Sequence, residues 1–193
     1  MDAREYLEIL HVAERLKDTP RHCTTSRGRV ESVAEHSWRI TLMAFLAEGE
    51  FPDLDMNKVM RMCLIHDLGE CFTGDIPSFN KTQQDEDTEE RLLYAWVDSL
   101  PEPYRAEMRA LYDEMAARET PEARVYKAMD SLEAVIQHNE SDLSSWAEHE
   151  FQLNLVYGYD KAAWSPVLLR LRDAVRAETE EKIAAFRKEQ SPC

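Results

Sequence analysis

The chain is short of glycine, with five in 193 residues, and it shows no apolar–polar alternation, internal repeat or low-complexity tract. Together with 32% charged residues, these absences describe a helix-prone soluble chain and not a disordered one. Basic charge is also lacking: 23 Lys and Arg face 38 Asp and Glu, a net charge of −15. Nucleic-acid polymers and anionic membranes need a basic footprint, so both are excluded as main partners. A small anionic substrate is not excluded, because it sees only the local field of its pocket. No apolar run approaches ~18 residues and the N-terminus has no basic-then-apolar leader, which predicts a cytoplasmic protein. Cysteine is scarce. Cys23, Cys63, Cys71 and Cys193 form no C-x-x-C pair and read as free thiols in a reducing compartment.

What is present is helical spacing. The length suits one domain, possibly two, and 44% apolar residues suffice for a core. Residues 3–17 carry Tyr6, Leu7, Leu10, Ala13 and Leu16 at three- and four-residue steps. A polar stretch at 21–30, with Arg21, Arg27, Arg29 and the breaker Gly28, reads as a loop. A second helix over 31–48 opens on Ser32, with Glu35 completing a capping box. Val33, His36, Ile40 and Met43 share one of its faces and Trp38, Leu42 and Phe45 the other, which predicts a helix buried all round. A third helix is expected over 55–70, a polar loop over 78–87, and further helices over 86–99, 101–118, 121–138, 146–159 and 165–186. The predicted fold class is all-α, a compact multi-helix bundle.

The chemistry centres on Cys63-Leu64-Ile65-His66-Asp67-Leu68-Gly69-Glu70. On a continuous helix His66 and Glu70, four apart, point the same way. His36 and His66 each lie on an apolar face. Either alone reads as a core histidine bonded to backbone, but His36, His66 and Asp67 together offer nitrogen and hard oxygen donors. That set suits six-coordinate Mn²⁺, Fe²⁺, Co²⁺ or Ni²⁺ and can hold Zn²⁺. His11 and His149 read as surface residues, His22 is ambiguous, and His138 ends a helix where the dipole favours a cation. On the stripe Val125, Met129, Leu132 and Ile136, Asp130 falls on the opposite side, where periodicity alone leaves it in solvent.

Three segments carry a resemblance. They are Ser32-Val33-Ala34-Glu35-His36-Ser37, His66-Asp67-Leu68-Gly69-Glu70 followed by Thr73-Gly74-Asp75-Ile76-Pro77, and Tyr126-Lys127-Ala128-Met129-Asp130. In this order they resemble the HD superfamily of metal-dependent phosphohydrolases, and within it the YfbR-type 5′-nucleotidases and HD-domain-containing-2 proteins. The resemblance covers about residues 5–185 and implies a single HD domain over 1–193. It implies a metal-dependent phosphomonoesterase that hydrolyses nucleoside, in particular deoxyribonucleoside, 5′-monophosphates. It also implies a metal held by His36, His66, Asp67 and Asp130. Binuclear relatives insert further histidines between the His-Asp pair and the last aspartate; none stands between Asp67 and Asp130, so one divalent ion is expected, with Mn, Co, Fe, Ni, Zn and Mg all open.

The same resemblance makes Glu70 the residue that orients water or moves its proton, and Asp75 a partner of the nucleophile or sugar. Arg21 aligns with the phosphate-binding arginine, and its fork can grip two phosphate oxygens. Lys81 is a second cation for the substrate. His22 stands where the bacterial nucleotidase has a sugar-checking aromatic, which leaves sugar selectivity open. Relatives form homodimers, with Trp146 or Trp164 as candidate contacts here. The alternatives are an HD hydrolase of a nucleoside triphosphate or alarmone, a non-enzymatic acidic helical module with no metal, and an iron-dependent HD oxygenase, disfavoured because it needs two metals.

Overall fold

The computed structural model describes residues 2–77 and 79–190, so Cys193 and Ser78 of the expected thiol set and polar loop lie outside the described residues. The chain divides into two compact units. The first comprises the residues up to His22 and Glu31–Tyr126; the second comprises Cys23–Val30 and the residues from Lys127 onward. The expected all-α class holds, with one small exception. Pro20–Thr24 (β1) and Val30–Ser32 (β2) pair as a two-stranded sheet where the sequence reads as loop. Gly28, at φ 76°, sits in the turn, where Thr25 N–H donates to the Arg29 carbonyl. Polar strands held by backbone bonds and a tight turn leave no period-two signal.

In the first unit, Ala3–Ala13 (α1) runs into a 3₁₀ turn at Glu14–Lys17. None of the α1 residues is buried; the apolar stripe read from the sequence reaches the core only at Leu16. Val33–Leu46 (α2) starts as expected, with Ser32 and Glu35 bonding each other's backbone. It packs along Met56–Ile65 (α3) through Val33, Ile40, Ala44, Val59, Met62 and Cys63, all fully buried. Its other face does not fulfil the expectation of all-round burial. Trp38 is 63% and Phe45 57% exposed, with Leu42 and Leu46 beside them. Glu70–Thr73 (α4) packs on Gln83–Asp98 (α5), and α5 on Tyr104–Ala117 (α6). The α5 helix begins three residues before the expected 86, because Thr82 forms a capping box with Asp85.

Pro121–Glu140 (α7) starts in the first unit and continues into the second. In the second unit, Glu150–Val156 (α8) and Tyr159–Ala162 (α9) pack on Pro166–Gln190 (α10). Gly158, at φ 80°, makes the turn between α8 and α9, where a Cβ would also meet the Ser131 side chain at 3.2 Å. Leu143, Trp146 and Ile183 form a buried cluster here. Trp146 is therefore core and not a contact surface. Among the described residues, no helix is long and apolar enough to cross a membrane.

Candidate metal centre

The helix expected over 55–70 stops at Ile65, and the reason lies in its side chains. The Ile65 carbonyl accepts from the Tyr112 hydroxyl at 2.6 Å and from Leu68 N–H at 3.1 Å. Residues 66–69 continue as tight turns until α4 begins at Glu70. His66 and Glu70 are thus joined by a turn and not by one helix face. Gly69 is needed at this bend, because a Cβ there would stand 2.8 Å from Glu89 Cγ on α5.

The turn brings His66 to His36. Their Nε2 atoms lie 3.2 Å apart, and Asp67 Oδ2 is 2.9 Å from His66 Nε2 and 3.7 Å from His36 Nε2. The other ring nitrogen of His66, Nδ1, donates to the Cys63 carbonyl at 2.9 Å, which leaves the Nε2 lone pair for a ligand. Donor atoms ~2.1 Å from one ion and 90° apart lie ~3.0 Å from each other, close to the 3.2 and 2.9 Å spacings here, with His36 to Asp67 wider at 3.7 Å. His36 is fully buried. Two imidazole nitrogens and a carboxylate oxygen converging in a buried spot fit a divalent ion.

Around this tripod the charge is mostly negative. Glu70 is buried, and its Oε2 has no hydrogen-bond partner among the described residues. Burial, with Asp67, Asp75 and Glu89 nearby, pushes its pKa up to about 10, against a smaller opposing pull from Arg21. Burial also raises the Asp75 pKa, and Asp67 adds to it, while Arg21, His36 and Lys81 pull it down. A buried carboxyl group left unsatisfied, as Glu70 is at Oε2, awaits a cation or a proton.

The two expected basic residues are both present. Arg21, on β1, places Nε 3.1 Å from Glu31 Oε2 and Nη1 3.8 Å from Asp67 Oδ2. Lys81 is not a surface lysine. It is half-buried, and its Nζ bonds Glu89 Oε2 at 2.7 Å. Burial works to lower its pKa, but Glu89, with Glu70 and Asp67, outweighs that and raises it. His22 is exposed, its ring edge-on to Phe79 at 5.5 Å.

In the second unit, Asp130 corrects the periodicity argument. Its helix is buried on nearly every side, including Ala128, Met129, Ser131, Leu132 and Glu133, and the Asp130 side chain is only 17% exposed. It is held by Lys127 at 2.6 Å. His138 is likewise no helix-end cation in solvent. It is buried, stacked on Trp146 at 4.0 Å and bonded to Asn154 Oδ1 at 3.1 Å. The residues that sequence reasoning missed are Glu31, which adjoins the Ser32–Ser37 segment without being part of it, and Glu89, which lies far from any motif.

A profile of the HD domain matches residues 13–171. The chain is 31% identical over 191 residues to human 5′-deoxynucleotidase HDDC2, covering 95% of this chain and 90% of that protein. It is 32% identical over 109 residues, 55% of each chain, to the dATP triphosphohydrolase of cyanophage S-2L. Among solved structures it superposes on a predicted metal-dependent phosphohydrolase from Magnetospirillum magnetotacticum with TM-score 0.77 and 27% identity, covering 94% of this chain and 92% of the other. The chain belongs to the HD domain family.

Proposed function

We propose that the protein is a metal-dependent phosphomonoesterase that hydrolyses deoxyribonucleoside 5′-monophosphates to nucleoside and phosphate. The observation that carries this reading is the convergence of His36, His66 and Asp67 beside a buried, unsatisfied Glu70. The human relative, named a 5′-deoxynucleotidase, supports the substrate class. His36, His66 and Asp67 would hold one divalent ion; Asp130 joins them as fourth ligand on the family pattern, and both units are read as one HD domain. A bound divalent ion supplies Lewis-acid polarisation of a phosphoryl oxygen and lowers the pKa of water.

The remaining steps belong to the chain. Arg21 grips the phosphate through its Nη edge. Lys81 offers a second positive charge. Glu70 takes the proton of the attacking water in its carboxylate form, a form that a divalent cation held beside it would favour. Asp75 orients that water or the sugar, and His22, with Phe79 against it, borders the sugar. Cys23, Cys63 and Cys71, present as thiols outside any disulfide, support a cytoplasmic, reducing setting. The exposed apolar face of α2, with Trp38 and Phe45, supports a homodimer.

The test is metal analysis of the purified protein together with a phosphate-release screen over nucleoside 5′-mono- and triphosphates and an alarmone. The expected result is one divalent ion per chain and release of orthophosphate from deoxynucleoside monophosphates. Triphosphate hydrolysis instead would favour the activity named for the cyanophage relative. Absence of metal and of release would leave the acidic-module alternative.

A further inference from the structure

On a regular helix, neighbours in sequence point ~100° apart and do not face one another. His66 and Asp67 are such neighbours, yet both side chains converge toward His36, with Asp67 Oδ2 2.9 Å from His66 Nε2. Their meeting depends on how the backbone that carries them is set.

That backbone is gripped from another helix. The Ile65 carbonyl and the His66 N–H belong to one planar peptide unit, which ends on the His66 Cα. A bond to the carbonyl oxygen therefore holds the plane from which His66 projects. The bond comes from Tyr112 on α6, whose hydroxyl donates to that oxygen at 2.6 Å. Beyond this point the chain tightens. Leu68 N–H donates to the same Ile65 carbonyl at 3.1 Å and Glu70 N–H to the Asp67 carbonyl at 3.0 Å, three-residue steps in place of four. The His66 ring is tied as well, its Nδ1 bonded to the Cys63 carbonyl at 2.9 Å.

Tyr112 is firmly seated for this contact. It is 5% exposed, and its ring packs on Tyr94 with centroids 6.3 Å apart. Burial, with Asp67 next in effect, pushes its pKa well above the usual tyrosine value, so the hydroxyl keeps its proton and stays a donor.

We propose that Tyr112 is a positioning residue of the metal centre: by bonding the Ile65 carbonyl it sets the peptide from which His66 and Asp67 turn toward His36. This rests on the reading of His36, His66 and Asp67 as metal ligands.

The experiment compares Tyr112→Phe with Tyr94→Phe. Each deletes one hydroxyl and keeps its ring, and the Tyr94 hydroxyl donates to the exposed Asp113 at 2.7 Å. The measurements are divalent-ion affinity by chelator competition, the absorption bands of the cobalt(II)-loaded protein, and kcat and KM separately. Tyr112→Phe is expected to weaken metal binding by ~10-fold, shift the cobalt bands and lower kcat more than it raises KM. Tyr94→Phe should match wild type in all of these. Wild-type affinity and bands in Tyr112→Phe overturn the proposal. So does an equal change in Tyr94→Phe, which would mark a general loss of α5–α6 packing. If wild type itself binds no divalent ion, the metal reading fails and this proposal with it, and that result is read before any variant is compared. Should Tyr112→Phe not fold by circular dichroism, p-aminophenylalanine in place of Tyr112 keeps the ring with a weaker donor. A partial loss of affinity with shifted bands is then expected, and wild-type values would overturn the proposal.

Discussion

Asn139, Asn154 and Thr179 in the second unit and His66, Asp67 and Glu70 in the first are both buried polar clusters, yet they are finished differently. Asn154 Nδ2 donates to Asn139 Oδ1 at 2.8 Å, Thr179 Oγ1 donates to the same oxygen at 2.9 Å, and Asn139 Nδ2 donates to the Val175 carbonyl at 3.1 Å. Arg172 donates to the Tyr157 and Asn154 carbonyls at the C-terminal end of α8, and Lys182 donates to the Asn139 and Ser141 carbonyls. Apart from Arg172 Nη1, which has no hydrogen-bond partner among the described residues, these groups answer one another and backbone atoms, and the result is a joint between helices. In the first unit two imidazole nitrogens and a carboxylate oxygen share one spot, and Glu70 Oε2 has no hydrogen-bond partner among the described residues. A satisfied network stabilises a fold, whereas one that lacks a cation is prepared to bind one.

The comparison breaks most severely at the metal tripod. His66→Ala should abolish metal retention and lower turnover about 10³-fold, as expected for loss of Lewis-acid stabilisation worth several kcal/mol. Elemental analysis and phosphate release measure the two, and retention of both would place His66 among ordinary core histidines. Next in size, Glu70→Gln should keep the metal but lose about 10²–10⁴-fold in kcat, checked by initial rates on the metal-loaded protein.

The same variant carries a stability signature in chelator-treated protein. The folded pKa of Glu70 is raised, so its contribution is fully present below about 4.5, the ordinary glutamate value, and is lost as pH rises toward about 10. Glu70→Gln should therefore melt higher than wild type at pH 8, with the gap closing near pH 4, as read by thermal scans.

On the other side of the comparison, Asn154→Ala should cost about 1–3 kcal/mol of stability and leave kcat/KM of the folded enzyme unchanged, measured by denaturant titration and steady-state kinetics. A selective loss of activity would erase the distinction between the two clusters. The smallest effect is expected at Lys81→Ala, a few-fold rise in KM with metal content intact. Lys81 must leave Glu89 to reach a phosphate, and that exchange offsets much of its gain.

Much of this was legible in the chain. The α2 start followed from Ser32 and Glu35, whose capping chemistry is local. The His36, His66 and Asp67 set followed from residue type and from the apolar faces that carry the two histidines. Other features were not legible, for identifiable reasons. The β1–β2 hairpin carries no alternation because its residues are polar and its pairing is made by backbone. The break after Ile65 comes from a Tyr112 hydroxyl 47 residues away, which no local rule can supply. The outer face of α2 reads as core because apolar residues look alike whether or not a neighbour covers them.

By itself, then, the sequence determined helical class, acidity, the helix caps and the donor types at the centre, since each depends on a residue and its near neighbours. Only the tertiary structure decided that His36 and His66 bring their Nε2 atoms to 3.2 Å, that Glu31 faces Arg21, and that Glu89 closes over Gly69. Those placements depend on residues distant in the chain being forced together by the packing of α2 on α3 and α4 on α5. They also set the charge environment of Glu70, which a list of residues does not contain.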